Sequence, residues 1–344
     1  MRPKDPTQSS LHPRRLASAQ GADEIARVLS GTGYIIRRRT MEDLWLALDR
    51  GLPLLAGGPA GTGKTALAEA LAASCNLTLY EITGHPGQEP RDVIGAWNRR
   101  DQDRAEDVAL AAGWSVEAAR AERWREDFFE CGEVLDAYRE AARAGLAGEP
   151  PPVLLIDETE KLPVPIQHIL LQPLARGFIS IPKLNGVIGV HDRRQTPIVI
   201  LTTNNLDLLD DPLKDRCVLT WVAPPTVPEE IRIFRARVPR ATPTLLGGTV
   251  KMLRKIRNDM DEITNKPGIR NAVLLLEAMA DHAVESINKR SLERYIGCLA
   301  RTDVDDINLR DALPTLERAA NRPDPIIDDL VKREFEVLLC GNAA

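Results

Sequence analysis

The stretch Gly58-Pro59-Ala60-Gly61-Thr62-Gly63-Lys64-Thr65 reads G-x-x-x-x-G-K-T, with Ala66 carrying it into the next element. Glycines at that spacing let backbone N–H groups turn inward and cradle phosphate oxygens. Lys64 then supplies a point charge for the β and γ phosphates, and the Thr65 hydroxyl is a ligand for Mg²⁺. A second group of chemistry-bearing residues lies at Val153-Leu154-Leu155-Ile156-Asp157-Glu158. Four apolar residues ending in two acids describe a buried strand that delivers carboxylates at its C-terminal end. Asp157 is placed to hold Mg²⁺, directly or through water. Glu158 is placed as the base or orienter of an attacking water, which favours hydrolysis over transfer to a small molecule. A third strand end, Ile198-Val199-Ile200-Leu201-Thr202-Thr203-Asn204-Asn205, offers an amide that can reach between the acids and a γ-phosphate. Asn204 is the choice, with Asn205 the neighbour that could replace it. Asn after a strand is also an ordinary turn residue. In Asp211-Pro212-Leu213-Lys214-Asp215-Arg216-Cys217, spacing alone makes Arg216 a surface arginine paired with Asp211 or Asp215.

These residues need a scaffold, and the chain supplies a pattern for one. An apolar strand is expected at 52–56 and a helix at 66–75, the strand–loop–helix setting a phosphate loop requires. Helix 40–50 puts Met41, Leu44, Trp45 and Leu48 on one face. Strands are expected at 77–83, 153–156, 198–202 and 218–222, and a helix at 164–175. A hairpin is expected over 178–190, turning at Asn185-Gly186. Alternating strands and helices predict a doubly wound α/β fold with a parallel sheet covered on both faces. Ala223-Pro224-Pro225-Thr226-Val227-Pro228 breaks that pattern as a linker. The remainder of the chain is helical in character, with 308–320 and 326–339 as helices. The expected organisation is an N-terminal arm (1–22, disordered), an α/β domain (23–224), a small all-helical lid (225–302) and a helical extension (303–344).

Composition narrows the partners. A net charge of −5 argues against a dedicated nucleic-acid binder, whose footprint is basic. Five scattered cysteines without a C-x-x-C pair suit a reducing cytosol and no structural zinc. The histidines are dispersed, and no apolar run reaches bilayer length. The first twenty residues are rich in Pro, Ser and Arg and lack an apolar signal core. Between the phosphate loop and Asp157 lies a long insert, 101–148. Its stretch 101–140 carries twelve acids against five basic residues. Such charge is ordinarily a solvated face. Trp114 and Trp124 within it need burial, either in the protein or under a docked partner.

In order along the chain, the phosphate loop, the Asp157-Glu158 strand end, the Thr202-Thr203-Asn204 strand end and Arg216 resemble the AAA+ ATPases. Glu89-Pro90-Arg91-Asp92-Val93-Ile94-Gly95 resembles the segment after the second strand in MoxR-type members. Phe178-Ile179-Ser180-Ile181-Pro182-Lys183-Leu184-Asn185-Gly186 resembles the hairpin before their sensor strand. The stretch 197–239 is similar to the MoxR-type members associated with carbon-monoxide dehydrogenase maturation. The resemblance covers roughly 33–284. It implies ATP and Mg²⁺ as ligands, Asn204 as a sensor, Arg216 as an arginine finger, and Arg270, in Gly268-Ile269-Arg270, as a second sensor above the γ-phosphate. It implies a homo-oligomeric ring, a hexamer, and a chaperone-like role in remodelling or maturing a partner, often with a von Willebrand factor A-domain protein. A cytoplasmic, membrane-free ATP hydrolase is the expectation. The alternative is a DNA-directed AAA+ motor of helicase or restriction type, against which the acidic balance counts.

Overall fold

The computed structural model describes residues 22–183, 187–189 and 192–341. The expected N-terminal arm, but for Ala22, and the turn Asn185-Gly186 lie outside the described residues. The chain divides into two units. The first runs to Val222; the second begins at Ala223 and takes in Gly33–Ile35 and Ala60–Thr62.

Among the described residues the first unit holds nine strands: β1 (Leu54–Gly57), β2 (Leu79–Thr83), β3 (Gly95–Trp97), β4 (Phe129–Cys131), β5 (Val153–Asp157), β6 (Phe178–Ser180), β7 (Val187–Gly189), β8 (Ile198–Thr203) and β9 (Val218–Trp221). Five form a parallel sheet in the order β2-β5-β8-β1-β9. β1, β5 and β8 are internal and almost wholly buried, which is why each reads as an unbroken apolar run rather than an alternating one. Leu55, Leu154, Ile156, Val199 and Leu201 share one core with helices Glu133–Ala147 and Val164–Arg176. Helices Arg38–Arg50 and Lys64–Cys75 pack on the sheet from elsewhere along its strands. The expected hairpin is present, with β6 and β7 antiparallel.

The acidic insert is more integrated than its charge suggests. Helices Arg99–Ala111 and Val116–Glu122 pack together, and buried Gln102 donates to the Arg123 carbonyl at 2.7 Å. Its acids meet arginines of the same region: Arg123 pairs with Asp103 and Glu106, Arg125 with Glu122 and Asp127, and Arg139 with Glu126. β4 pairs antiparallel with β3, a two-stranded ribbon the sequence did not announce. Trp124 stacks edge-on against Trp97 at 5.1 Å, and Phe129 does the same at 5.2 Å. Trp114 is 51% exposed and Trp124 37%, so of the two settings expected for them, burial within the protein is not the one they have. Phe129 is 8% exposed and belongs to the core of the first unit. Phe129→Ala is therefore expected to cost about 3–5 kcal/mol, read as a lowered denaturant midpoint. A midpoint equal to wild type would show the ribbon to be dispensable for that core.

The second unit is helical. Val227–Arg237, Pro243–Asp259, Ile269–Asp281 and Lys289–Tyr295 bury Phe234, Leu245, Leu253, Leu275 and Leu292 in one core. Leu309, Leu316, Ile327 and Val331 from the C-terminal helices enter the same core. The single helix expected over 308–320 is two, Asp303–Asp311 and Leu313–Asn321. Pro314 explains the break: it has no N–H to donate backwards, and its ring is tolerated only in a first turn. Among the described residues, no helix is long and apolar enough to cross a membrane.

Candidate nucleotide site

The parallel sheet places the ends of β1, β5 and β8 on one side. The chain leaves β1 at Gly57, turns through 58–63 and enters helix Lys64–Cys75. Gly58, Gly61 and Gly63 have φ of 152°, 78° and 90°. A side chain is strained in all three, so the loop's shape depends on glycine there. The helix begins without a side-chain cap, leaving its first N–H groups for an anion. Pro59, Ala60 and Thr62 fill the loop between the glycines.

Lys64 is 6% exposed. Its ammonium donates to the carbonyls of Gly58 at 2.8 Å and Pro59 at 2.9 Å, and to Asn204 Oδ1 at 2.9 Å. Burial holds its pKa below the ordinary lysine value, and the charges of Glu160, Asp157 and Glu158 work against that shift. Thr65 Oγ1 donates to Asp157 Oδ1 at 2.9 Å. Thr202, from β8 between them, donates to the same carboxylate oxygen and accepts from the Glu158 backbone N–H at 3.0 Å. One threonine hydroxyl thus fixes both acids against the central strand. The sequence pointed to Thr202 only as part of a strand end.

Glu158 has a left-handed backbone, with φ of 51°. Gly84, directly after β2, makes room for it: a Cβ there would lie 2.4 Å from the Glu158 carbonyl oxygen. The Glu158 carboxylate accepts from Lys161 at 2.6 Å. Both side chains are substantially exposed, so solvent screens this pair and it yields readily to a competing partner.

Asn204 and Asn205 divide the roles that the sequence left between them. Asn205 is the turn residue, its side chain accepting from the Asp207 N–H at 2.9 Å. Asn204 faces the loop, and its side chain bonds neither Asp157 nor Glu158 among the described residues. Its amide instead spans Lys64 and Glu160, a residue sequence reasoning passed over. Arg216 is not paired with Asp211 or Asp215. Asp211 pairs with Lys214 at 2.6 Å, and Arg216 donates to the Pro212 carbonyl. The Arg216 Nε is buried with no partner among the described residues. The segment leading to it is anchored to helix Val164–Arg176, where Gln167 accepts from the Asp210 N–H at 3.0 Å and His168 meets the Asp210 carboxylate at 2.8 Å. Arg270 is exposed in the first turn of helix Ile269–Asp281 of the second unit.

Residues 53–217 match the family model of the AAA domain, dynein-related subfamily. That span contains the phosphate loop, both acids, Asn204 and Arg216, strung on the five-stranded parallel sheet. The fold is that of an AAA+ P-loop NTPase. Two relatives cover 67% of the chain at 23% identity: the gas vesicle ATPase GvpN1 of Halobacterium salinarum and GvpN of Haloferax mediterranei. The chain spans 63% of the length of each. The Holliday junction branch migration subunit RuvB 2 of a Synechococcus species is 37% identical over 93 residues, covering 27% of this chain and 23% of that protein. Among solved structures, a Thermotoga maritima RuvB variant aligns with 86% of this chain and 76% of its own at 18% identity and a TM-score of 0.43. Residues 53–217 thus carry the AAA+ fold and its motifs.

The donor set fits Mg²⁺. A hydroxyl and a carboxylate already in contact are hard oxygen ligands of the kind Mg²⁺ takes beside phosphate oxygens. Thr65 and Asp157 would hold the ion, which would neutralise charge on the phosphates.

Proposed function

We propose that this chain hydrolyses ATP as a ring-forming AAA+ ATPase and uses the cycle to remodel or mature a partner protein. The observation that carries the reading is the joining of Thr65, Asp157, Thr202 and the Glu158 backbone into one hydrogen-bonded network at the phosphate loop. In that arrangement the loop N–H groups and Lys64 bind the phosphates, Glu158 orients a water and takes its proton, and Asn204 reports on the γ-phosphate. Arg216 acts on the nucleotide of an adjacent copy, a role supported by its place after the Asn204 strand end in the AAA+ motif order. Arg270 serves as the second sensor. A hexamer, a cytoplasmic setting and a von Willebrand factor A-domain partner rest on the MoxR-type resemblance of 89–95, 178–186 and 197–239. The GvpN relatives support a gas-vesicle client as the other protein-directed version.

Wild-type protein is expected to hydrolyse ATP in the presence of Mg²⁺. Arg216→Ala should bind nucleotide normally and hydrolyse it on the order of 10³-fold more slowly, the usual scale for a lost arginine finger. Mixing it with Lys64→Ala protein pairs intact loops with intact fingers at some interfaces and should recover part of the activity. Mixed assemblies with no recovery would place Arg216 within its own subunit or outside the reaction.

The RuvB similarity supports a second reading, a DNA-directed motor. ATPase stimulation by duplex or junction DNA would favour it; indifference to DNA alongside stimulation by a protein partner would favour the first.

A further inference from the structure

Glu160 lies in the short turn Thr159–Lys161 directly after Glu158. One of its oxygens, Oε1, accepts two hydrogen bonds from the same residue: the Asn204 backbone N–H at 3.1 Å and the Asn204 side-chain Nδ2 at 3.0 Å. On its other side the Asn204 amide accepts from Lys64 at 2.9 Å. The orientation of an asparagine amide is normally ambiguous between oxygen and nitrogen. Here chemistry fixes it. An ammonium only donates and a carboxylate only accepts, so the oxygen must face Lys64 and the nitrogen must face Glu160. Asn204 is exposed, so without Glu160 its amide would be held on the Lys64 side alone.

The remaining Glu160 oxygen, Oε2, is buried and has no hydrogen-bond partner among the described residues. Buried carboxylate oxygens are ordinarily satisfied, and a structural anchor has no reason to leave one bare. Its charge is also the strongest of the three acid influences on Lys64. A carboxylate with one buried, unsatisfied oxygen, acting electrostatically on the phosphate-binding lysine and gripping the sensor by two bonds, belongs to the reaction's machinery.

We infer that Glu160 is a positioning residue for ATP hydrolysis, acting through Asn204. This rests on the ATPase reading of the site. Glu160 holds the sensor amide in the one rotamer that presents its oxygen to the Lys64 side of the site, where the γ-phosphate is read. Removing it should slow the chemical step while leaving nucleotide affinity undiminished, since a negative charge near the phosphates is lost with it.

Four proteins test this: wild type, Glu160→Ala, Asn204→Ala and the double variant. Turnover at saturating ATP is measured beside nucleotide affinity. Glu160→Ala is expected to lower kcat on the order of 10- to 100-fold, the scale of a misplaced reacting group, without weakening ATP binding. The double variant should be no slower than Asn204→Ala alone. Glu160→Gln keeps a carbonyl for the two Asn204 donors and should recover most of the lost kcat. It also serves if the alanine variant folds poorly. A Glu160→Ala kcat within twofold of wild type overturns the inference. So does a double variant slower than Asn204→Ala by the full Glu160→Ala factor. A wild type that binds ATP and does not hydrolyse it would instead overturn the ATPase reading, so the two failures are distinguishable.

Discussion

Lys64→Ala is expected to abolish useful ATP binding while the protein still folds. A charge-assisted hydrogen bond contributes about 1.5–3 kcal/mol, and the lysine would make one each to the β and γ phosphates. Losing both removes about 3–6 kcal/mol, or roughly 10²- to 10⁴-fold in affinity. The fold should survive because the turns of the loop are set by Gly58, Gly61 and Gly63 rather than by the lysine. The bonds that Lys64 makes to Gly58, Pro59 and Asn204 are lost as well, but so is the cost of burying an ammonium, and the two offset. Fluorescence titration with a labelled nucleotide reads the first effect and thermal denaturation the second. An unchanged ATP affinity would sink the phosphate-loop assignment.

Glu158→Gln is expected to bind ATP with Mg²⁺ as wild type does and to hydrolyse it about 10²- to 10⁴-fold more slowly. The backbone N–H of residue 158 would still donate to Thr202, and Asp157 and Thr65 are untouched, so only the proton acceptor is removed. The same variant should hold the assembled ring together and retain client protein, which makes it the trap of choice for a pull-down. Turnover near wild type would show that another group takes the proton.

The phosphate loop, β1, β5 and β8 were legible because buried parallel strands are short apolar runs and a glycine loop has little other use. Asp157, Glu158 and Asn204 stood out because they come at the C-terminal ends of strands on one side of such a sheet; Arg216, which precedes β9, stood out only through the resemblance to AAA+ ATPases. Other features leave no periodic or compositional trace. Glu160 sits in a one-turn connector, where nothing in its neighbours distinguishes it from a solvent-facing acid. β3 and β4 are three residues each and pair across more than thirty positions, too short to alternate. The ion pairs that absorb the insert's acids depend on how its helices fold back, which a charge count cannot show. Gly84 reads as a loop glycine, and its close approach to Glu158 exists only in three dimensions.

The left-handed backbone at Glu158 sets stability against activity. An ordinary L-residue in that conformation costs about 1–2 kcal/mol, and glycine is free of the penalty. Folding alone would therefore be better served by glycine at position 158 than by glutamate. The acid stands there at the expense of the protein's own resistance to unfolding. Selection of this chain for thermal robustness, without a demand for turnover, would be drawn toward losing the residue proposed to activate the attacking water.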